Sequence, residues 1–261
     1  MDAVAGGTSF GIGALFGRAW QIFRARFWTI FGILVVPSSV SLIGQLLAGE
    51  EFDGPQPLLG FALILVGALW GIWAAGAALE VITHPSEDVD YVSAHRRILP
   101  RLLGFILTSI LVSLATLLGF VLFIIPGVLV AVWYSLSIYV YFAERTGVFE
   151  AMSRSKAYVT GYWWAVFGRN LLLGLVVMLV AASAGVAGSI ILMVVFGADA
   201  PVSAVLASLF FVFLMTAISV YGYAYAYALY EALRTLWGGA AGVSIATTQP
   251  STEGSVAVKS E

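Results

Sequence analysis

The sequence predicts an all-α, polytopic membrane protein with six transmembrane helices, and three observations carry that expectation. Of 261 residues, 61% are apolar and 10% are charged, where an ordinary globular domain carries ~25% charged residues. Six apolar runs match or approach the ~20 helical residues needed to cross a hydrocarbon core of ~30 Å: 27–47, 58–80, 102–125, 127–143, 164–195 and 202–230. Eleven of the 12 Lys and Arg residues fall before the first run or after every second one, and Arg169 lies five residues beyond Trp164 at the start of the fifth. The intervening loops hold acids alone, Glu50, Glu51 and Asp53 in one and Asp199 in another. Lys and Arg are retained on the cytoplasmic side during insertion, so both termini are expected to be cytoplasmic, in the cytoplasmic (inner) membrane.

The organisation follows from these runs: a tail over 1–8, a membrane domain over 9–237, and a second tail over 238–261. That second tail is rich in Gly, Ser, Thr, Gln and Pro. It is expected to be disordered, because it cannot bury enough apolar surface to offset its ordering entropy. Before the first span, residues 9–27 place Phe16, Trp20, Phe23 and Phe27 on one helical face, with Arg18, Arg24 and Arg26 nearby. An apolar face with bases elsewhere on the wheel predicts a helix lying in the interface. The first and second spans follow, and Tyr91–Arg101 leads into the third as a weaker basic segment. Between the third and fourth spans, Pro126-Gly127 predicts the tight turn of the hairpin: Pro removes a donor and restricts the residue before it, and Gly supplies unusual dihedrals. Residues 147–163 repeat the first amphipathic segment at one fixed offset. Arg18 matches Arg154, Phe27 matches Trp163, Trp28 matches Trp164, and Phe31-Gly32 matches Phe167-Gly168.

Each second span also ends in a carboxylate, Glu80, Glu144 or Glu231, ten residues after an aromatic, Trp70, Tyr134 or Tyr221. The chain therefore reads as three units of interfacial helix, span, outer turn, span and Glu, a pseudo-threefold helix-hairpin repeat. Local base pairing is expected for the three carboxylates: His84 for Glu80, Arg145 for Glu144, Arg234 for Glu231, with Arg18, Arg97 and Arg154 as further partners. Small residues recur at four-residue spacing in the second span (Gly67, Gly71, Ala75) and in the fifth (Ala181, Gly185, Ser189), which favours close helix packing. Tyr225, Tyr227 and Tyr230, approaching Glu231, fit an interfacial aromatic belt.

Several function classes lack their residues. Cysteine is absent and the two His, His84 and His95, are separated by an acidic loop, so no metal site or cofactor is expected. With a net charge of −2 there is no basic field for nucleic acid. No phosphate loop, serine elbow or His-Glu metal helix occurs. The strongest binding candidates are the bases Arg18, Arg24, Arg26, Arg97, Arg154, Lys156 and Arg169, at the expected depth of lipid phosphates, each worth ~1 kcal/mol against an anionic leaflet. The leading expectation is a non-enzymatic protein engaging membrane lipids, a membrane-protein partner or another copy of itself at that face. The alternative is a transporter or channel for a small or amphipathic solute, using a cavity near Trp70, Tyr134 and Tyr221.

One stretch also resembles a known family. Ile125-Pro126-Gly127-Val128, then Glu144-Arg145-Thr146-Gly147-Val148-Phe149-Glu150-Ala151-Met152-Ser153-Arg154-Ser155 and Thr160-Gly161-Tyr162-Trp163-Trp164, resembles the membrane domain of glycerophosphodiester phosphodiesterases and the uncharacterised six-span bacterial inner-membrane proteins related to it. Arg18-Ala19-Trp20 through Phe27-Trp28 is similar to that family's opening, so the resemblance spans about residues 10 to 237. It implies the six-span fold. It does not imply phosphodiesterase activity, because that chemistry belongs to a separate soluble domain whose metal-binding carboxylates have no counterpart here.

Overall fold

A computed structural model describes residues 11–49, 56–84, 91–197 and 201–248, with side chains placed as far as Gly238. These residues form nine α-helices and one 3-10 turn: α1 Ile12–Ala48, α2 Pro57–Thr83, α3 Tyr91–Ile98, the turn Leu99–Arg101, α4 Leu102–Leu122, α5 Ile124–Tyr134, α6 Ser137–Ala143, α7 Val148–Val159, α8 Trp163–Phe196 and α9 Pro201–Thr248. Six stretches are long and apolar enough to cross a membrane: α1, α2, Tyr91–Leu122, Ile124–Ala143, α8 and Val202–Gly238 within α9. The chain is an all-α, multi-pass membrane protein. Glu50, Glu51, Asp53 and Asp199, the acidic loop between His84 and Tyr91, and the segments 1–10 and 249–261 lie outside the described residues.

The three units join their first helices to their spans in three different ways. In the third, α7 ends at Val159, Gly161 turns the chain at φ +91°, and α8 begins at Trp163. That left-handed φ suits Gly and strains any side chain. At the fixed offset of the repeat, the first unit has Ala25 in place of Gly161, and the helix runs straight through. The separate interfacial helix expected over 9–27 is therefore the first part of α1, a continuous helix of 37 residues, about 55 Å long. In the second unit Pro100 lies in a 3-10 turn, which joins α3 to α4 without a reversal.

The hairpin between the third and fourth spans turns earlier than expected. The break is the extended residue Phe123 (φ −168°, ψ 161°). Pro126 already lies in the first turn of α5, where no intrahelical donor is needed. Gly127 is buried against Gly119 and the Phe120 ring of α4, so its role is close approach between the two helices. The fourth span bends again at Ser135-Leu136, between α5 and α6. At the far end, α9 continues to Thr248, so residues 238–248, expected as part of a disordered tail, are helical.

Burial is concentrated at the basic end of the bundle. The core consists of Leu15, Ala19 and Ile22 of α1, residues 74–83 of α2, Ala94 and Ile98 of α3, much of α6, Ala151, Ser155, Tyr158 and Val159 of α7, and the 224–233 stretch of α9. Away from that end α1 packs on α2 where Gly44 and Gly60 meet and α4 on α5 where Gly119 and Gly127 meet, while within α8 only Val166 is fully buried. The burial pattern repeats with the sequence: Leu15 and Ala151 are equivalent and buried, as are Ala19 and Ser155 one turn later. In the second spans Ala78, Phe142 and Leu229, each two residues before its Glu, are all fully buried.

Candidate functional site

The three helix-end carboxylates meet the bases of neighbouring units at the basic end. Glu80 is 1% exposed. Its Oε1 accepts from Arg145 Nη2 at 3.0 Å and lies 3.6 Å from His84 Nδ1. Its Oε2 is buried without a hydrogen-bond partner among the described residues. Arg145 gets there by a backbone in the left-handed region (φ +52°) just after α6, which throws its guanidinium across to α2 and away from Glu144. Arg145 Nη2 also lies 3.2 Å from His84 Nε2. Arg donates only, so this contact makes Nε2 the acceptor and puts the imidazole proton on Nδ1.

Glu144 is the most densely engaged of the three. Arg154 Nη1 donates to its Oε2, and the hydroxyls of Tyr158 and Tyr230 donate to its Oε1 at 2.7 and 2.9 Å. Arg234 lies 3.8 Å away. Burial opposes ionisation of Glu144, but the hydrogen bonds from Tyr158, Arg154 and Tyr230 outweigh it and hold the carboxyl below its ordinary value of 4.5. The Tyr158 hydroxyl is pushed up to about 12, first by burial and then by the carboxylate it faces. Glu231 receives Arg18 at 3.1 Å, an ion pair that ties the start of α1 to α9. Arg154 also donates to Glu150 at 2.6 Å.

The pairing follows a cyclic rule. The Arg of one unit's first helix reaches the carboxylate closing the unit before it: Arg154 to Glu144, and Arg18 to Glu231, which closes the circle from third unit to first. The base just after one unit's carboxylate likewise reaches back, Arg145 to Glu80 and Arg234 to Glu144. Of the three expected local pairs His84–Glu80 comes together, and of the further partners Arg18 meets Glu231 and Arg154 meets Glu144. Arg145 and Arg234 are corrected to cross-unit partners. Neither Tyr158 nor Tyr230 was expected at Glu144. Tyr230, Tyr227 and Tyr225 are buried and do not form an interfacial belt. Tyr227 donates to the Thr83 carbonyl at 3.4 Å and Tyr225 to that of Arg169 at 3.2 Å.

The remaining bases divide into two groups. Arg26, Arg97 and Arg169 each have a partner, and Arg169 Nη1 donates to the Ala165 carbonyl at 2.9 Å. Arg24, Arg96 and Lys156 are exposed with no carboxylate partner among the described residues. Lys156 Nζ lies 4.7 Å above the Trp133 ring. Large exposed aromatics mark the same end, including the equivalent pair Trp28 (80% exposed) and Trp164 (77%).

Two residues of the aromatic face of the first segment turn inward, while Trp20 stays exposed. Phe16 meets Tyr225 and Phe23 meets Tyr221, with centroids 5.3 and 5.8 Å apart. The groove that Tyr221 lines, about 420 Å³, includes neither Trp70 nor Tyr134, so those three aromatics do not share it. The small-residue row of the fifth span does not mediate close packing along its whole length: Ala181, Gly185 and Ser189 line an open groove of about 560 Å³ with α1 and α9. Gly67, by contrast, abuts Ser41 and Pro37 of α1. No group of three His, Cys, Asp or Glu that could hold a metal occurs among the described residues. No protein-family model matches this chain, and no curated protein and no solved structure matches it.

Proposed function

We propose that this is a non-enzymatic protein of the cytoplasmic membrane whose basic end, on the cytoplasmic side, engages anionic lipid headgroups. One observation carries the reading. The carboxylates consume Arg18, Arg145 and Arg154 in the cyclic ion pairs, while Arg24, Arg96 and Lys156 stay exposed at the end marked by Trp28 and Trp164. Aromatics at a membrane interface sit at headgroup level, and cations there attract anionic lipid. The lipid-facing set is thus narrower than the full list of bases: Arg18 and Arg154 serve the clasp between units. At Glu144, tyrosine hydroxyls and a guanidinium occupy both carboxylate oxygens, which leaves it poorly placed for acid–base work on a substrate.

The test is the lipid that copurifies. The wild-type protein extracted into nanodiscs should be enriched in anionic lipid over the bulk membrane, and Arg24→Gln with Arg96→Gln should remove most of that enrichment. Equal enrichment in the variant would overturn the reading. Orientation has its own check, since the chain has no cysteine. Ser153→Cys should resist an impermeant thiol reagent in intact cells, and Asp199→Cys should react.

A further inference from the structure

We propose that the groove between α5 and the α7–α8 elbow seats one acyl chain of an anionic phospholipid whose phosphate lies at Lys156. The proposal rests on the reading that the basic end engages anionic headgroups, and adds a defined seat and a chain-binding wall. The groove measures about 640 Å³, lined on one side by Val128, Leu129 and Trp133 and on the other by Trp163, Trp164 and Phe167. Along α5 it runs from Trp133 to Ile124, roughly 14 Å.

The groove is graded from charge to hydrocarbon. At one end Lys156 lies over Trp133. At the other, no polar side chain occurs from Leu117 to Val132, and Phe123, Ile124 and Ile125 are exposed at the hairpin tip. Between the ends, polar groups are already used. Thr160 Oγ1 donates to the Lys156 carbonyl at 2.7 Å, and Trp163 Nε1 faces the Leu129 carbonyl at 3.5 Å. Such a wall recognises a hydrocarbon chain, and the single cation at its mouth selects an anionic head. Arg154, the other base of α7, cannot share that role while Glu144 and Glu150 hold it.

A second groove lies where α1, α8 and α9 meet. Phe16 and Trp20 of α1, Tyr221 of α9 and the wall of α8 enclose about 420 Å³. At the repeat offset Trp20 stands where Lys156 does. That second groove therefore lacks the cation that stands beside the α5–α8 groove.

Native mass spectrometry of the purified full chain, titrated with dioleoyl phosphatidylglycerol or dioleoyl phosphatidylcholine, tests this. Lys156→Gln should weaken phosphatidylglycerol binding about five-fold, the factor one headgroup cation supplies, and leave phosphatidylcholine unchanged. Leu129→Trp, which fills the groove, should weaken both lipids. Lys156 is exposed, so its variant keeps the test valid even if the groove-filling chain misfolds. Unchanged phosphatidylglycerol binding in Lys156→Gln overturns the proposal. If Arg24→Gln and Arg96→Gln weaken that lipid while the two groove variants do not, the seat is wrong and the broader reading stands. If none of the four weakens it, both fall.

Discussion

Glu144 joins three elements through one side chain: it closes α6, receives Arg154 and Tyr158 from α7, and receives Tyr230 from α9. Its side chain is 4% exposed, so these partners replace water. Hydrogen bonds to a charged group are worth about 1.5–3 kcal/mol each, and a buried partner left unsatisfied costs about 1–3 kcal/mol. Glu144→Gln keeps one acceptor oxygen but loses the charge and presents an amide where an acceptor was. It should destabilise the protein by about 2 kcal/mol, read as a lower midpoint in detergent unfolding. The pH dependence has a definite sign. Because the folded carboxyl sits below 4.5, its contribution is fully present above 4.5 and is lost as pH falls through the lower folded value. The wild-type midpoint should therefore drop below pH 4.5 by more than that of Glu144→Gln. Parallel pH profiles would remove the carboxylate from the stability argument.

At the scale of elements, one residue decides whether a unit's first helix is coaxial with its span or folded against it. Gly161 has open space around its α-carbon, so a methyl group there meets no neighbour and only the backbone conformation resists it. Gly161→Ala should cost about 1–2 kcal/mol through the left-handed φ alone. The reciprocal Ala25→Gly, in mid-helix, should cost about 1 kcal/mol without clash. Thermal unfolding of the two variants checks this, and a stabilised Gly161→Ala would show that the elbow is not fixed by its glycine. The elbow also shows what the sequence discloses and what it hides. The six spans are legible because lipid demands long apolar helices, and the repeat is legible because equivalent positions keep equivalent burial. The coaxial α1 was hidden: amphipathic periodicity is the same whether a helix lies in the interface or runs on into the span, and Phe16 and Phe23 face α9 where lipid was expected. The turn was misplaced to Pro126-Gly127 because both residues break helices in general, whereas a proline in a first turn breaks nothing. The partners of Arg145 and Arg234 were hidden because helical spacing reports only same-helix neighbours. The left-handed backbone at Arg145 is a tertiary fact with no spacing signature.

For the whole molecule, the cyclic pairing supplies closure that chain connectivity does not. Units one and two, and two and three, are consecutive in the chain, but units three and one are joined by packing of α1 on α9, the Arg18–Glu231 pair and the hydrogen bond from Tyr227 to the Thr83 carbonyl. The equivalent Arg154–Glu144 pair lies in a different environment: Glu144 is 4% exposed, while the Glu231 side chain is 31% exposed and Arg18 49%. Equivalent positions in the repeat therefore carry unequal energies. Exposed ion pairs are worth about 0–1 kcal/mol, whereas removing the partner of a buried carboxylate costs several-fold more. Arg18→Ala should lower stability by less than about 1 kcal/mol, because α1 stays held by Leu15, Ala19 and the Phe16–Tyr225 contact. Arg154→Ala should cost about 2 kcal/mol, since Glu144 would then rely on two tyrosines and the more distant Arg234. Denaturant titration of the two variants in one detergent decides the order. If Arg18→Ala proved the costlier, the third-to-first closure, and not the Glu144 cluster, would be the joint on which the bundle depends.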